Sequence, residues 1–593
     1  MKPRVVASLL FCVILIVPTG CSLFSGSGPQ DAFRAFADAL QRKDADAAAT
    51  ATTDPGAAAP VITSMFNGMG PNATVAVTGT DPDDQNTATL RYVWTLGPGR
   101  TLDYDAPVSA TKVGDDWRVQ WAPTDLHPDL RDGLAFQYSD DKNLLTPIVD
   151  RDGQPLLTWQ TIGVIDLSRE NAEAAPALAS LLQQFEPSIT PETIVDQFAG
   201  DAQASKVTVV KLREADLAPI RDQLTAIPGV TVAEQGALLT ANRELRSPAI
   251  AGLPDIWQQA IDATAGWSVD LVDGDGRPAT ELISTPPADI QPIRTTLDTR
   301  LQQLAQQAVA TESRPAVLVA ISPRTGGILA AAQNAAADAQ GPIAFTGSYP
   351  PGSTFKTITT AAALDAGIAT PDTPEPCPGR VTVEDRTIPN DDEFDLGTVP
   401  LTTAFARSCN TTMAMLADEL PADALPKTAR TFGIGVDFVI PGLTTITGTV
   451  PNADSAALKV ENGIGQGTVT VSPFGLAVAE ASLGRGSTIT PTLVVDRATE
   501  ADTPSAPIPP NVAADLRAMM TQTVADGTAT ALRDIPGLGG KTGTAEFGDN
   551  TSSHGWFAGI AGDIAFATLV VGGDTSGPAI TISGDFLRPA ITG

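Results

Sequence analysis

Pro350-Pro351-Gly352-Ser353-Thr354-Phe355-Lys356-Thr357-Ile358-Thr359-Thr360-Ala361-Ala362-Ala363-Leu364-Asp365-Ala366-Gly367 is the stretch on which the reading of this chain turns. Two prolines and a glycine interrupt regular structure before Ser353, and Gly367 supplies a stop. The pattern therefore predicts a helix over 354–366. Spacing of i, i+3 puts the Ser353 hydroxyl and the Lys356 ammonium on one face, a turn apart. A serine is a poor nucleophile until a base takes its proton; a lysine can do so once burial and a nearby cation favour its neutral form. The start of the helix also places partial positive charge where an oxyanion would develop. Alone, the same residues read equally well as a serine N-cap followed by a solvated lysine.

Two further short motifs follow in order, Ser408-Cys409-Asn410 and Lys541-Thr542-Gly543. Ser408 and Asn410 precede a helical stretch over 411–420, where the serine can relay a proton and the amide can orient a substrate backbone. Taken alone, an ordinary helix-entry serine would be the better reading. Gly539 to Glu546 reads as an edge strand of low side-chain bulk, suited to pairing with an extended peptide. Gly543 would allow close approach to its backbone. Lys541, Thr542 and Thr544 can hold a terminal carboxylate, and a strand N–H with that of Ser353 can form an oxyanion hole. Lys541 is also the cation that would depress Lys356.

Around these motifs lies a sheet. The stretch 316–321, a turn at Pro323 to Gly326 and the stretch 328–330 read as a hairpin. Three more strands are expected over 543–547, 556–561 and 565–571. A helix is expected over 296–309, with Leu297, Leu301, Leu304 and Ala305 on one stripe. Strands from both ends of a domain with helices inserted between give a five-stranded antiparallel sheet covered on both faces.

The chain has 593 residues, too many for one core, and a net charge of −31. Such acidity argues against nucleic acid, whose phosphates are held by Lys and Arg. With two histidines, four cysteines and no CxxC or HExxH spacing, a Cys/His zinc site is close to excluded, and no metal or cofactor is expected. At the N-terminus, Met1-Lys2-Pro3-Arg4 precedes a mostly apolar run over 5–17 and then Pro18-Thr19-Gly20-Cys21. Such a run rises only about 20 Å as a helix, short of a hydrocarbon core. It resembles a bacterial lipoprotein signal, residues 1–21, with Cys21 as the lipidated first residue; Pro18 departs from the usual leucine. The alternative is an uncleaved short anchor. Either way the protein is expected outside the cytoplasm, on the outer face of the cell membrane. Cys377 and Cys409 then remain as either a disulfide or two free thiols. A bridge would close a loop of about 30 residues and contribute roughly 3–4 kcal/mol on the chain-entropy account.

Upstream, a linker over 22–28 leads to a helical stripe of Ala32, Phe33, Phe36, Ala37 and Leu40. Strands follow, with Leu90, Tyr92, Trp94 and Leu96 alternating and Trp117, Val119 and Trp121 on one face. A small α+β module over 29–135 is expected. Asp152-Gly153 marks a turn between strand-like segments. The region 136–292 mixes strands and helices and carries no catalytic constellation.

The assembly of SxxK, SxN and KTG resembles the penicillin-binding proteins. The likeness extends to Gly463-Ile464-Gly465-Gln466-Gly467, Ser472-Pro473 and His554-Gly555-Trp556-Phe557-Ala558-Gly559. Within that family the chain looks like a class B enzyme. Its 29–135 module resembles the NTF2-like N-terminal module of the low-affinity methicillin-resistance type, a likeness carried by Trp117-Arg118-Val119-Gln120-Trp121-Ala122-Pro123. Region 136–292 resembles the non-penicillin-binding, dimerisation-type domain, and 293–593 the transpeptidase domain.

The resemblance implies a serine-type D-Ala-D-Ala transpeptidase. Ser353 would attack the stem peptide, with Lys356 as base, Ser408 as proton relay, and Asn410 and Lys541 completing the catalytic set. Thr542, Gly543 and Thr544 would line the substrate strand. Peptidoglycan stem peptides and lipid-linked precursor strands, β-lactam antibiotics, a membrane reached through the lipid anchor, and cell-wall synthesis proteins are the implied partners. A D,D-carboxypeptidase differs only in its acceptor. A serine β-lactamase has no use for so long an N-terminal extension. A silent β-lactam sensor or scaffold would need an output domain or would be free to lose the motifs.

Overall fold

The computed structural model describes residues 28–80, 84–201, 203–548 and 552–592. Cys21 and the expected signal segment lie outside the described residues. Contacts divide the chain into two units: one runs to Asn143 and adds Asp262–Asp289, the other takes Leu144–Ile261 and everything from Ile290.

In the first unit, the helix Pro29–Gln41 buries Phe33, Phe36, Ala37 and Leu40, the stripe its sequence sets out. A second long helix, Pro55–Met69, starts behind Asp54, whose carboxylate accepts the Ala57 N–H. Four antiparallel strands, Ala73–Thr80, Thr87–Gly97, Arg100–Val113 and Asp116–Val119, pair in chain order. Alternation on the second sends Leu90, Tyr92 and Trp94 fully into the core, while Leu96 stays half-buried. Val119 is buried and Trp117 and Trp121 only partly so. A separate three-stranded sheet sets Gly266–Val272 between Ala135–Asp141 and Pro278–Thr285. Of the stretch 136–292, residues 136–143 and 262–289 thus belong to this unit and the remainder to the other.

In the second unit, the long strand Pro155–Ser168 pairs with Ile148–Val149, Lys206–Arg213 and Val230–Thr240. Gly153 makes the turn before it at a φ of 84°, and Asp150 Oδ1 accepts the N–H groups of Asp152 and Gln154.

The sheet that carries the motifs has five strands: β1 (Ala316–Ile321), β2 (Ile328–Gln333), β3 (Gly539–Phe547), β4 (Ser552–Ala561) and β5 (Ile564–Val570). They are antiparallel throughout, in the order β2-β1-β5-β4-β3, so β3 is an edge. Every residue of β1 is buried because the sheet is covered on both faces. Val317, Val319 and Ile321 enter a core shared with the helix Pro473–Arg485, while Ala316, Leu318 and Ala320 enter one shared with the helices Thr299–Val309 and Gly577–Thr592. This double burial is why the sequence shows an unbroken apolar run rather than alternation.

Two helix starts differ from the sequence pattern. The helix expected over 296–309 begins at Thr299, because Asp298 takes the N-cap position and accepts the Leu301 N–H at 2.9 Å. Thr296 meanwhile donates its hydroxyl to the Ile328 and Thr492 carbonyls. The helix expected over 354–366 opens as a 3₁₀ turn, Gly352–Phe355, and becomes α-helical over Lys356–Asp365.

Candidate active site

Four separate contacts brace the turn that carries Ser353. Trp556 Nε1 donates to the Pro350 carbonyl at 3.0 Å, and the Gly352 N–H donates to the Gly465 carbonyl at 2.9 Å. Tyr349 and Val471 exchange main-chain hydrogen bonds of 3.0 and 2.8 Å. Gly352 sits at a φ of +52°, and a Cβ there would lie 2.4 Å from the Thr544 carbonyl oxygen. Gly465 sits at +78°, where a Cβ would come within 2.0 Å of the Gly352 oxygen. Glycine at these two positions lets the turn press against β3 on one side and the 463–467 loop on the other. Ser353 is half-buried at the first turn of the helix, and Lys356 lies one turn on.

Lys356 is fully buried. Its Nζ donates to the Ser408 carbonyl at 2.7 Å, to Ser408 Oγ at 3.2 Å and to Asn410 Oδ1 at 2.6 Å. Lys541 on β3, in register with Ala558 on β4, is also fully buried; its Nζ donates to Ser408 Oγ at 2.8 Å and to the Thr542 carbonyl at 3.0 Å. The Phe405 ring lies 5.7 Å from that nitrogen. Burial pushes the Lys541 pKa down to about 7. Lys356 falls well below the ordinary lysine range, first through desolvation and then through the positive charge of Lys541, with Asp391 opposing weakly.

The Ser408 turn follows from helix-end chemistry. The short helix Leu401–Ala406 closes with a Schellman pair, Cys409 N–H to the Ala404 carbonyl at 2.8 Å and Ser408 N–H to the Phe405 carbonyl at 2.9 Å. That closure needs a left-handed residue, usually glycine, and here Ser408 takes it at a φ of 62°. Cys409 then serves as N-cap for the helix Asn410–Glu419, so Arg407, Ser408 and Cys409 are the whole connection between two helices and Asn410 opens the second. Cys409 is disulfide-bonded to Cys377 with Cα atoms 6.2 Å apart, both side chains fully buried. Thr411 and Thr412 donate to the Pro378 and Pro376 carbonyls at 2.9 and 2.8 Å, pinning the same Pro-Cys-Pro segment.

The structure thus brings Lys356, Ser408, Asn410 and Lys541 into one hydrogen-bonded cluster, with Ser353 at the adjoining helix start. The Asn410 carboxamide is engaged within the protein at both ends, by Lys356 at Oδ1 and at Nδ2 by the Pro389 carbonyl at 2.8 Å. Thr542 is buried, its hydroxyl paired with that of Thr528 at 2.7 Å, whereas Thr544 lies exposed beyond the buried Gly543. Three supporting residues went unread in the sequence: Thr528, Trp556 as a donor to Pro350, and Thr359, which donates to the Gly463 carbonyl at 2.6 Å. Each acts through a side-chain bond to a residue distant in sequence, which no local pattern announces.

Chemically, the cluster is a proton relay. A serine hydroxyl has two acceptor lone pairs and one proton. Both lysines donate to Ser408 Oγ, which directs its own proton toward whatever occupies the site. Burial and the charge of Lys541 draw the Lys356 pKa well below the ordinary lysine range, which makes this amine easier to deprotonate and so better suited to take the Ser353 proton.

Comparison with known proteins places these observations. Residues 316–590 match the penicillin binding protein transpeptidase domain, and residues 28–133 the NTF2-like N-terminal transpeptidase domain. The chain is 34% identical over 337 residues to peptidoglycan D,D-transpeptidase PbpA of Mycobacterium tuberculosis strain H37Rv, covering 47% of this chain and 67% of that protein. It is 24% identical to penicillin-binding protein 3 of Bacillus subtilis over 569 residues, 82% of this chain and 83% of that one. Among solved structures, it shares its fold with a chain of the complex between penicillin-binding protein PBP2 and MreC from Helicobacter pylori. That match has a TM-score of 0.58 at 18% identity and covers 77% of this chain and 98% of that one.

Ser408 combines backbone strain with a hydroxyl at the centre of the cluster, and substitution separates the two. Ser408→Gly relieves the left-handed backbone by up to about 1 kcal/mol but takes an acceptor from two buried lysines at about 1–3 kcal/mol, so a net loss of stability of no more than about 2 kcal/mol is expected. The same change is expected to slow acylation by a β-lactam at least about 100-fold. Urea denaturation and stopped-flow acylation check the two halves.

Proposed function

The chain belongs to the penicillin-binding protein transpeptidase family, and from that premise we propose that it crosslinks peptidoglycan stem peptides through an acyl-enzyme on Ser353. One observation carries the assignment of residues: two buried lysine Nζ atoms meet on Ser408 Oγ, at 3.2 and 2.8 Å, beside the helix start that holds Ser353.

In the proposed reaction, Lys356 takes the Ser353 proton as Oγ attacks the carbonyl of the penultimate D-Ala. The oxyanion forms at the helix N-terminus, where the Ser353 N–H and a β3 N–H supply donors worth about 3–4 kcal/mol each. The C–N bond to the terminal D-Ala then breaks, and Ser408 gives that amine its proton, replenished from the lysine pair. Lys541 holds the terminal carboxylate, assisted by the Thr544 hydroxyl, while the stem peptide pairs along the edge strand with Gly543 beneath it. An amine from a neighbouring stem peptide attacks the acyl-serine, its proton returning through the same relay. A β-lactam imitates the terminal dipeptide and leaves an acyl-serine.

The proposal extends to organisation and place. Residues 29–135 form the NTF2-like module, 136–292 the non-penicillin-binding domain and 293–593 the catalytic domain; the family matches over 28–133 and 316–590 support the first and last. Among the described residues no helix is long and apolar enough to cross a membrane. The protein is held at the outer face of the cell membrane by lipid on Cys21, a reading supported by the Thr19-Gly20-Cys21 sequence. Cell-wall synthesis proteins are its expected partners.

Fluorescent penicillin is expected to label the wild-type protein and to leave Ser353→Ala unlabelled; labelling of the variant would assign the nucleophile elsewhere. Cys21→Ser is expected to release the chain from membranes or block its processing, and unchanged retention and processing would favour an uncleaved anchor.

A further inference from the structure

Asn390 belongs to none of the three motifs, yet its side chain is 2% exposed and every polar atom it carries is engaged. Its Oδ1 accepts the main-chain N–H of Asn410 at 2.7 Å and that of Thr411 at 3.2 Å. These are the first two N–H groups of the helix Asn410–Glu419, donors that no turn of that helix satisfies. Its Nδ2 donates to the Pro378 carbonyl at 2.9 Å and the Phe394 carbonyl at 2.8 Å, and reaches Cys377 Sγ at 3.4 Å. The residue before it, Pro389, offers the carbonyl that receives the Asn410 side-chain amide.

The segment 389–390 therefore grips Asn410 twice, at its main-chain N–H and at its carboxamide. Two rotations of the Asn410 carboxamide are open in principle. Only the one that points Nδ2 at Pro389 turns Oδ1 toward Lys356, where it accepts from Nζ at 2.6 Å. The disulfide cannot set this orientation, because it holds Cys409 through Cβ and leaves the next residue's amide free to rotate.

We infer that Asn390 is a positioning residue for the transfer reaction: its acceptor oxygen fixes the Ser408–Asn410 turn on Lys356, while its amide donors hold the 377–394 loop. This rests on the catalytic reading of Ser353 and Lys356 given above. The two ends of one side chain thus have separable duties. An aspartate keeps the acceptor toward Asn410 and Thr411 and loses both donors; an alanine loses both ends.

The test uses the full chain, a chromogenic β-lactam, and the acylation rate constant and non-covalent dissociation constant measured separately across pH, per active site. Asn390→Ala is expected to lower the pH-independent acylation rate constant at least about 30-fold, with the dissociation constant changed less than about threefold. Asn390→Asp is expected to lose thermal stability yet keep its plateau rate within about threefold of wild type. Its acid limb should move to higher pH, because a carboxylate there favours the ammonium form of Lys356. Equal plateau losses in the two variants, or an alanine variant as fast as wild type, would overturn the inference. Wild-type protein that is not acylated at Ser353 would remove the catalytic reading and this inference with it, an outcome distinct from variant rates that match an active wild type.

Discussion

Two lysine side chains, both without solvent exposure, donate to one serine oxygen. Water would ordinarily stabilise each ammonium, and neither has it. Two unit charges a few ångströms apart at an effective dielectric near 20 repel by roughly 3–4 kcal/mol, so the pair does not carry two full charges cheaply. Burial first, and then the charge of Lys541, lower the Lys356 pKa well below the ordinary lysine range. The proposed acyl transfer asks for a base that gives up its own proton readily, and the surroundings of Lys356 shift it in that direction.

The supports come from distant parts of the chain. The edge strand β3 delivers Lys541 from one end of the domain, and the helix Lys356–Asp365 delivers Lys356 from another. Ser408 arrives on a two-helix connection that leaves a non-glycine residue left-handed. Such strain is tolerated where neighbours over-determine the backbone. Here the Schellman bonds, the disulfide at Cys409 and the threonines on Pro376 and Pro378 do so. Positions in a relay must be right to a fraction of an ångström, and loose loops would not hold them.

Much of this is legible before any coordinates. The five strands are visible because β1 is so thoroughly apolar and because glycines and turns punctuate β3 to β5. The three motifs are visible because their chemistry depends on residue type and order. Helix starts were misplaced where a side chain competed for the backbone, as Asp298 does ahead of Thr299 and as the tight glycine turn does at 352–355. Asn390 was invisible for a different reason. Its importance lies in five partners drawn from three segments, and nothing in Pro389-Asn390-Asp391 distinguishes it from a surface turn. The return of Gly266–Val272 to the first unit's sheet is likewise a long-range pairing with no local signature.

The protonation of the lysine pair is the centre of the account, and nitrogen-detected NMR of ¹⁵N-lysine-labelled full-length protein reads it directly. Lys356→Met and Lys541→Met supply the assignments. The account predicts that Lys541 titrates near 7 and that Lys356 titrates well below the ordinary lysine range. Because an unfolded chain would bind those protons up to about pH 10.4, folding stability should rise with pH from about 7 into that range, and Lys541→Met should flatten the rise. Two Nζ resonances titrating together near pH 10 would contradict it, for then neither amine could accept the Ser353 proton at neutral pH.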